Sequence, residues 1–554
     1  MLIGKALAAP IALLIAISVN VQASTVESSP TFVPANSTDE QRASIASPSE
    51  RDMDDYYSKG IRQLHHFQYD DAIACFQAMI ERSESVVNTA RGYWGLLMAL
   101  DHPLWEEQSF AAGRAVLQRY LGTGARVLPP REQALISAVK KLYGDGTPKE
   151  RNEAYRAVMR SLFDQNRHDD DIAAFYGLSL LAASKSIGSK DKALALRKKA
   201  TSILDMIRAR NPDHPGMLHY TIHSYDDARR SPEEALQHAA RYAGEGVHAA
   251  HALHMPSHIY FPLGMWKHVA EGETAAWRKG KAAAQRHASS PCYDIHALHS
   301  LQWLSYAKLQ LGQFEDARTA LKEMEDVYAA NRSEPMYKWY LAMMYAAYLT
   351  DAPQDANTAN ILASAISLAA DLSGIELQAV VNLKYATTWA ALDRSRRSDG
   401  RIDQADLDEA KKAIRHIDGL IGKNKERLST LGSCGATQVS YFTGAYEQSI
   451  EPAEIMALQL RSIVRREEMD IAGGYALLEA AAALERKLPA SYGPPSPVVS
   501  SFELLGEDYL KDKRFDDAMK AFSEVSPRLK ERLRNPLRQS ASLKLESSDP
   551  MKIH

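Results

Sequence analysis

Apolar residues recur along most of the chain at helical spacing, and small residues alternate with large ones in a fixed order. The first such block is Tyr56, Gly60, Phe67, Ala72, Phe76 and Met79. Gly60 and Ala72 are small where two helices of a hairpin cross closely, and Phe76 and Met79 are large where one hairpin meets the next. The same order returns at Leu301, Leu304, Ser305, Gly312, Ala317, Leu321 and Met324. It returns again at Phe502, Leu505, Gly506, Tyr509, Ala518, Phe522 and Val525. Between these blocks, residues 93–100 and 175–183 read as small-and-aromatic helices, and 194–208 as an amphipathic partner. Helices are also predicted over 337–349, 375–392, 404–421 and 469–488. Ser231, Pro232, Glu233 and Glu234 predict a helix start, with Ser231 as the N-cap. Strand signals are nearly absent.

Helix hairpins repeating from one end to the other predict an all-α chain, a tetratricopeptide-like α-solenoid wound as a right-handed superhelix. The repeat domain is expected over residues 52–535, broken at the Pro- and Gly-containing stretch 489–497 and followed by a polar tail, 536–554. Ahead of it, residues 1–23 read as a signal peptide. Lys5 precedes an apolar run over 6–19, and Val21, Gln22 and Ala23 fit a small-residue cleavage site before Ser24. Residues 24–51 are rich in Ser, Thr, Pro and Ala and read as a disordered linker. The expectation is an exported protein, periplasmic or secreted, with no stable membrane span once the leader is cut.

Composition adds little to this. Apolar residues make up 45% and charged residues 24%, as in ordinary soluble proteins. The formal net charge of -3 and the lack of a long basic run speak against nucleic acid as a partner. Three cysteines, Cys75, Cys292 and Cys434, are too few and too far apart for a disulfide framework. There is no GxSxG elbow, Walker A loop, HExxH or dinucleotide fingerprint.

Histidine changes the picture. Twelve of the eighteen histidines lie in residues 214–299, where an even spread would place about three. His219/His223 and His254/His258 are spaced i,i+4, so on a helix each pair shares a face. Neutral imidazoles bind copper and zinc, and two such pairs on neighbouring helices can close a four-nitrogen site. His219, His223, His254 and His258 are the candidate metal ligands, with His299 or His296 as a fifth. Asp226 and Asp227 are candidate ligands or acceptors for a ring N–H. Pro215 predicts a helix start that leaves His219 and His223 both inside. Pro256 predicts a start near Met255, which leaves His254 just ahead of its helix and the second pair loose. His65, Trp94, Tyr220 and His299 complete the candidate pocket. The competing explanation is structural: histidine hydrogen-bonds well between close-packed helices.

The stretches LHHFQYDDA (64–72), YWGLLMALDHPLW (93–105), NPDHPGMLHYTIHSYDD (211–227), HALHMPSHIYFPLGMW (251–266) and HALHSLQWLSYAKLQLG (296–312) carry a resemblance. Together they resemble a mostly uncharacterised group of large tetratricopeptide-repeat proteins with HPGxxHYxIHxxDD and HAxHMPSHIF signatures. SFELLGEDYLKDKRFDDAMKAF (501–522) resembles that group's closing repeat. Ala228, Tyr260 and Lys308 depart from the pattern, and none of these changes a histidine. The resemblance implies the solenoid fold and names no reaction. Two functions remain in view. One is an exported repeat protein whose His-rich pocket on the concave face binds a protein, peptide or small ligand. The other is a copper- or zinc-dependent enzyme using the histidine cluster.

Overall fold

In the computed structural model, Gly60 shows how the helices approach. A Cβ placed on it would fall 2.6 Å from the Phe76 ring, and one on Gly95 would fall 2.3 Å from the same ring. Phe76 is fully buried between the two glycines, so one aromatic side chain locks a hairpin to the helix that follows it. Replacing Gly95 with alanine forces this ring out of place. The expected cost is about 1–3 kcal/mol, read as a lowered midpoint in denaturant unfolding. An unchanged midpoint would show that the junction is slack.

The structure describes residues 50–524 except 125–126, 228, 246–248, 287–292, 294, 353–354, 373–375, 432–438 and 489–492. The expected signal peptide, almost all of the linker, the polar tail, Val525, Cys292 and Cys434 lie outside the described residues. Cys75 is a half-buried free thiol.

The chain runs through α1 (Glu50–His65), α2 (Tyr69–Arg82) and α3 (Val86–Ala99) into a short β-hairpin, β1 (Asp101–His102) and β2 (Glu107–Gln108). It continues through α4 (Phe110–Gly122), α5 (Pro130–Leu142), α6 (Pro148–Gln165), α7 (Asp170–Ser186), α8 (Lys190–Arg208) and α9 (Pro215–Tyr225). A 3-10 turn, Pro232–Ala235, leads into α10 (Leu236–Glu245), α11 (Ala250–His254) and α12 (Ser257–Tyr260). Long hairpins resume with α13 (Trp266–Arg286), α14 (Ile295–Gln310), α15 (Phe314–Ala330), α16 (Pro335–Asp351), α17 (Thr358–Ala369) and α18 (Leu377–Asp399). The last helices are α19 (Gln404–Leu431), α20 (Val439–Glu467), α21 (Ile471–Glu485), α22 (Ser501–Lys511) and α23 (Phe515–Glu524).

Helices adjacent in sequence pack together. So do alternate ones: α7 packs on α9, α14 on α16, α16 on α18, and α18 on α20. Contact between i and i+2 is what stacking hairpins produces, and the architecture is a tetratricopeptide-like α-solenoid. The repeat positions fit this frame. Ala317, Leu321 and Met324 of α15 are buried, and a Cβ on Gly506 would meet Phe522 at 2.4 Å. Gly312 turns the α14–α15 hairpin at φ 68°. The start expected at Ser231 is present, with Ser231 at the N-cap position and Pro232 first in the turn, but the side chain and the turn differ from a standard cap. The Ser231 hydroxyl contacts Glu233 Oε2 at 2.5 Å and caps nothing, and the first turn is 3-10 before α10 begins. No described helix is long and apolar enough to cross a membrane.

The array is interrupted between α9 and α13. There the chain makes the short helices α11 and α12 where a repeat would have one long helix. The interruption turns histidines from two segments toward α9 and α14.

Candidate metal centre

The site begins at the start of α9. His214 is its N-cap, the ring Nδ1 accepting from the Met217 N–H at 3.1 Å, and Pro215 follows at the first helical position. Gly216 lets this first turn close on His65 at the end of α1: a Cβ there would sit 2.4 Å from His65 Nδ1. The contact brings the His65 carbonyl to His219, whose Nδ1–H donates to it at 2.6 Å. A neutral imidazole that donates through Nδ1 keeps its lone pair on Nε2. His219 Nε2 faces His223 Nε2, one turn on, at 3.1 Å.

The second pair is built differently from the sequence expectation. His254 is the last residue of α11, but the backbone stays helical through Met255 (φ -54°, ψ -38°) and Pro256 (φ -56°, ψ -28°) into α12. Pro256 therefore does not loosen the pair. His254 Nε2 and His258 Nε2 face each other at 2.9 Å. The outer nitrogens are held by carboxylates. His254 Nδ1 lies 2.8 Å from Glu273 Oε1 on α13, and His258 Nδ1 lies 3.0 Å from Asp226 Oδ2, just past the end of α9. Carboxylates behind imidazoles fix ring orientation and tautomer in metal sites.

A third ring joins each pair. His251 of α11 completes a group with His219 and His223, and His299 of α14 completes one with His254 and His258. Within each group one nitrogen per ring lies within 4.8 Å of the others. The quartet expected from sequence is thus arranged as two triads, each pair taking its third member from another segment. Neither nitrogen of His251 has a hydrogen-bond partner, although the residue is buried. Buried polar groups are ordinarily paired, so this ring is the strongest local signal of a ligand-binding role.

Burial pushes His219 down to about 3. Burial, then neighbouring imidazoles, also hold His223, His251, His254 and His299 well below the usual range. These five rings are neutral at pH 7 and present lone pairs, as metal binding requires. His258 is the exception. Burial alone lowers it, but Asp226 overcomes that and raises it. Glu273, fully buried, is pushed up to about 8. In the metal-free protein Asp226, His258, His254 and Glu273 form one chain of close polar contacts, with the Asp226 carboxylate favouring the protonated form of His258.

The same triad test separates a third group. His65, His214 and Asp171 also lie within 4.8 Å of one another, but both His65 Nε2 and His214 Nε2 donate to Asp171 Oδ1, at 3.0 and 3.2 Å. His65 Nδ1 accepts from Tyr220 Oη at 3.0 Å, so every ring nitrogen is in use. Burial raises Asp171, and the two histidine hydrogen bonds more than reverse this and hold it well below the carboxylate range. This group is a clamp between α1, α7 and α9, and it fixes the carbonyl that orients His219.

The remaining candidates fall outside the triads. Trp94 packs on Phe175 and Tyr57, at ring centroids of 5.6 and 6.5 Å. Asp227 is bound by Arg229 at 3.1 Å and by Arg197 at 3.5 Å. His296 packs on Trp105 at 4.4 Å with the rings tilted by 40°, and lies 5.0 Å from His251. His251, Glu273, Asp171, His214 and Trp105 were not singled out from sequence. Only His251 carried a usable sign, three residues ahead of His254 in HALHMPSH.

Aromatic rings wall the triads. Phe67 turns the α1–α2 hairpin in the left-handed region, φ 57°, and lies 4.5 Å from His219 and 5.5 Å from His251. Met469, Lys513 and Gly312 take the same left-handed conformation where later hairpins turn, so this φ is a feature of the hairpin turn. Trp303 of α14 stands 5.1 and 5.0 Å from His254 and His258. The β-hairpin brings Trp105, half-buried, to 5.6 Å from His251.

No family model matches the chain, and no curated protein matches it. Among solved structures, yeast Tom70 aligns with 90% of this chain and 100% of its own at 12% identity and a TM-score of 0.34.

Proposed function

We propose that this protein binds two transition-metal ions, copper or zinc, one in each histidine triad, inside a helical-repeat scaffold. One observation carries this reading. In both i,i+4 pairs the Nε2 atoms face each other, at 3.1 and 2.9 Å, with a third imidazole beside them, the buried His251 or the half-buried His299. Two nitrogens bound to one tetrahedral ion stand ~3.3 Å apart. A metal therefore replaces the proton shared by each pair with shifts of a few tenths of an ångström, and the third ring closes in. Three imidazoles leave a fourth position for substrate or water, the arrangement of catalytic rather than purely structural sites.

The leader-like residues 1–23 support an exported location, where such ions are acquired outside the cytosol. Helical repeats also commonly present surfaces to protein partners, and that role is compatible with a metal centre in the same array.

The test is metal analysis of the mature protein purified without chelator or affinity metal, then reloaded with copper or zinc. The expected content is two ions per chain. His223→Ala is expected to reduce it to one, and His223→Ala combined with His258→Ala to none. A wild-type chain that retains no metal after loading and dialysis would sink the proposal and leave the cluster a hydrogen-bonded core.

A further inference from the structure

We infer that the two triads form one coupled dicopper centre whose exchangeable ligand is dioxygen. This deepens the two-metal reading and rests on it.

The first ground is continuity. Within the triads, neighbouring ring centroids are 4.8 to 6.4 Å apart. Across the triads His251 and His254 are 6.3 Å apart, and His223 and His258 are 6.4 Å apart. The spacing between sites matches the widest spacing within them. Six imidazoles make one cluster, and ions bound by its two halves are near neighbours that can share a small ligand.

The second ground is the donor set. All six donors are imidazoles, with no carboxylate or thiolate among them. The nearest carboxylates, Asp226 and Glu273, sit behind His258 and His254 on their outer nitrogens. Both are engaged with ligand rings and neither joins the metal-binding nitrogens of a triad. A purely imidazole set binds copper ahead of zinc at equal geometry. Being uncharged, it also tolerates the univalent as well as the divalent ion. The chemistry favoured is therefore electron transfer between copper and a bound molecule.

The third ground is access. Phe67, Trp303 and Trp105 wall the cluster with aromatic surface; His219, His251 and His254 are buried, and His223, His258 and His299 are half-buried. A small uncharged molecule enters such a space without the desolvation cost that a hydrated anion meets. Each three-coordinate copper offers one open position. Dioxygen bridging the pair takes one electron from each univalent copper. Its O–O bond order falls from two to one, giving bound peroxide and two divalent coppers. No proton or leaving group is involved.

The experiment uses the full mature chain, loaded anaerobically with univalent copper, with the copper-to-chain ratio measured first. On exposure to air we expect uptake of one dioxygen per copper pair at an oxygen electrode. We also expect an electron paramagnetic resonance signal that accounts for only a small fraction of the copper, because two bridged divalent ions couple their spins. His251→Ala, which removes a ring with no hydrogen bond to lose, is expected to bind fewer coppers, take up no dioxygen in pairs and show its full spin. If that variant fails to fold, the wild-type spin count decides alone. A ratio below two overturns the two-metal reading itself. A ratio of two with full spin intensity, or with no dioxygen uptake, overturns only the coupling. So does a chain that takes two zinc ions and refuses copper.

Discussion

Below pH 6.5 the metal-free protein is expected to lose stability progressively and to unfold in acid before its carboxylates are all protonated. The reason is the number of buried neutral imidazoles. His65, His219, His223, His251, His254 and His299 all have folded pKa values below the free value, with burial the leading cause. For a group whose folded pKa is depressed, the stabilisation is fully present above the unfolded value and is lost as pH falls toward the folded one. For His219 that window runs from 6.5 down to about 3. In it the unfolded chain holds a proton that the folded chain excludes. Glu273 and Asp101 act in the opposite direction. Their folded values are raised to about 8 and about 6, so each stabilises the fold below its unfolded value and loses that contribution as pH rises. The six depressed histidines outnumber Glu273, Asp101 and the raised His258, so stability falls as pH drops below 6.5, each group contributing at most about 1.4 kcal/mol per pH unit while it titrates. Above 6.5 the histidine contribution is complete, and Glu273 with His258, also raised, gives a shallow decline toward pH 8. Far-ultraviolet circular dichroism across pH 4 to 8, without metal, reads both limbs. A chain still folded at pH 4 would mean that the cluster admits water without unfolding. Bound metal should shift the acid midpoint downward, since an ion on Nε2 competes with the proton there.

The hairpin array was legible in the sequence because close packing restricts residue size. A ring as large as Phe76 fits between two helices only where Gly60 and Gly95 supply no side chain, and such pairs are visible in sequence. The histidine pairs were legible for a similarly local reason, since i,i+4 is a property of one helix. Two features were not. The division into triads depends on His251 and His299 arriving from other segments, and no periodicity reports which helix faces which. The supports Asp171 and Glu273 sit on α7 and α13, where they read as ordinary helix carboxylates. Pro256 misled in a specific way. Proline at a first helical position and proline within a short helical bend leave the same mark in sequence, and only the dihedrals at Met255 and Pro256 separate them. The clamp of His65, His214 and Asp171 shows the converse case, a ligand-like triad whose lone pairs are all committed to hydrogen bonds.

Gly216→Ala is expected to damage the metal centre from outside it. The new methyl carbon would lie 2.4 Å from His65 Nδ1 and 2.7 Å from Cε1. His65 has nowhere to go. Asp171 holds Nε2 at 3.0 Å, Tyr220 holds Nδ1 at 3.0 Å, and Phe175 stacks on the ring at 4.6 Å. The strain is relieved by moving the first turn of α9 away from α1, which lengthens the 2.6 Å bond from His219 Nδ1 to the His65 carbonyl. Overpacking of this kind costs about 1–3 kcal/mol. Losing the group that orients a ligand ring weakens metal binding by about 10–100-fold. The control is Gly419→Ala in α19, where nothing lies within 4 Å of the added carbon. There alanine should stabilise by about 0.5–1 kcal/mol through helix propensity alone. Thermal unfolding of the metal-free chains and a competitive metal titration separate the two effects. If Gly216→Ala lowers the melting temperature but leaves metal affinity at the wild-type value, the glycine serves packing only, and the His65 carbonyl does not set the orientation of His219. If both fall together while Gly419→Ala raises stability, the HPG turn is part of the site, and its glycine is there because the helix must touch the imidazole beneath it.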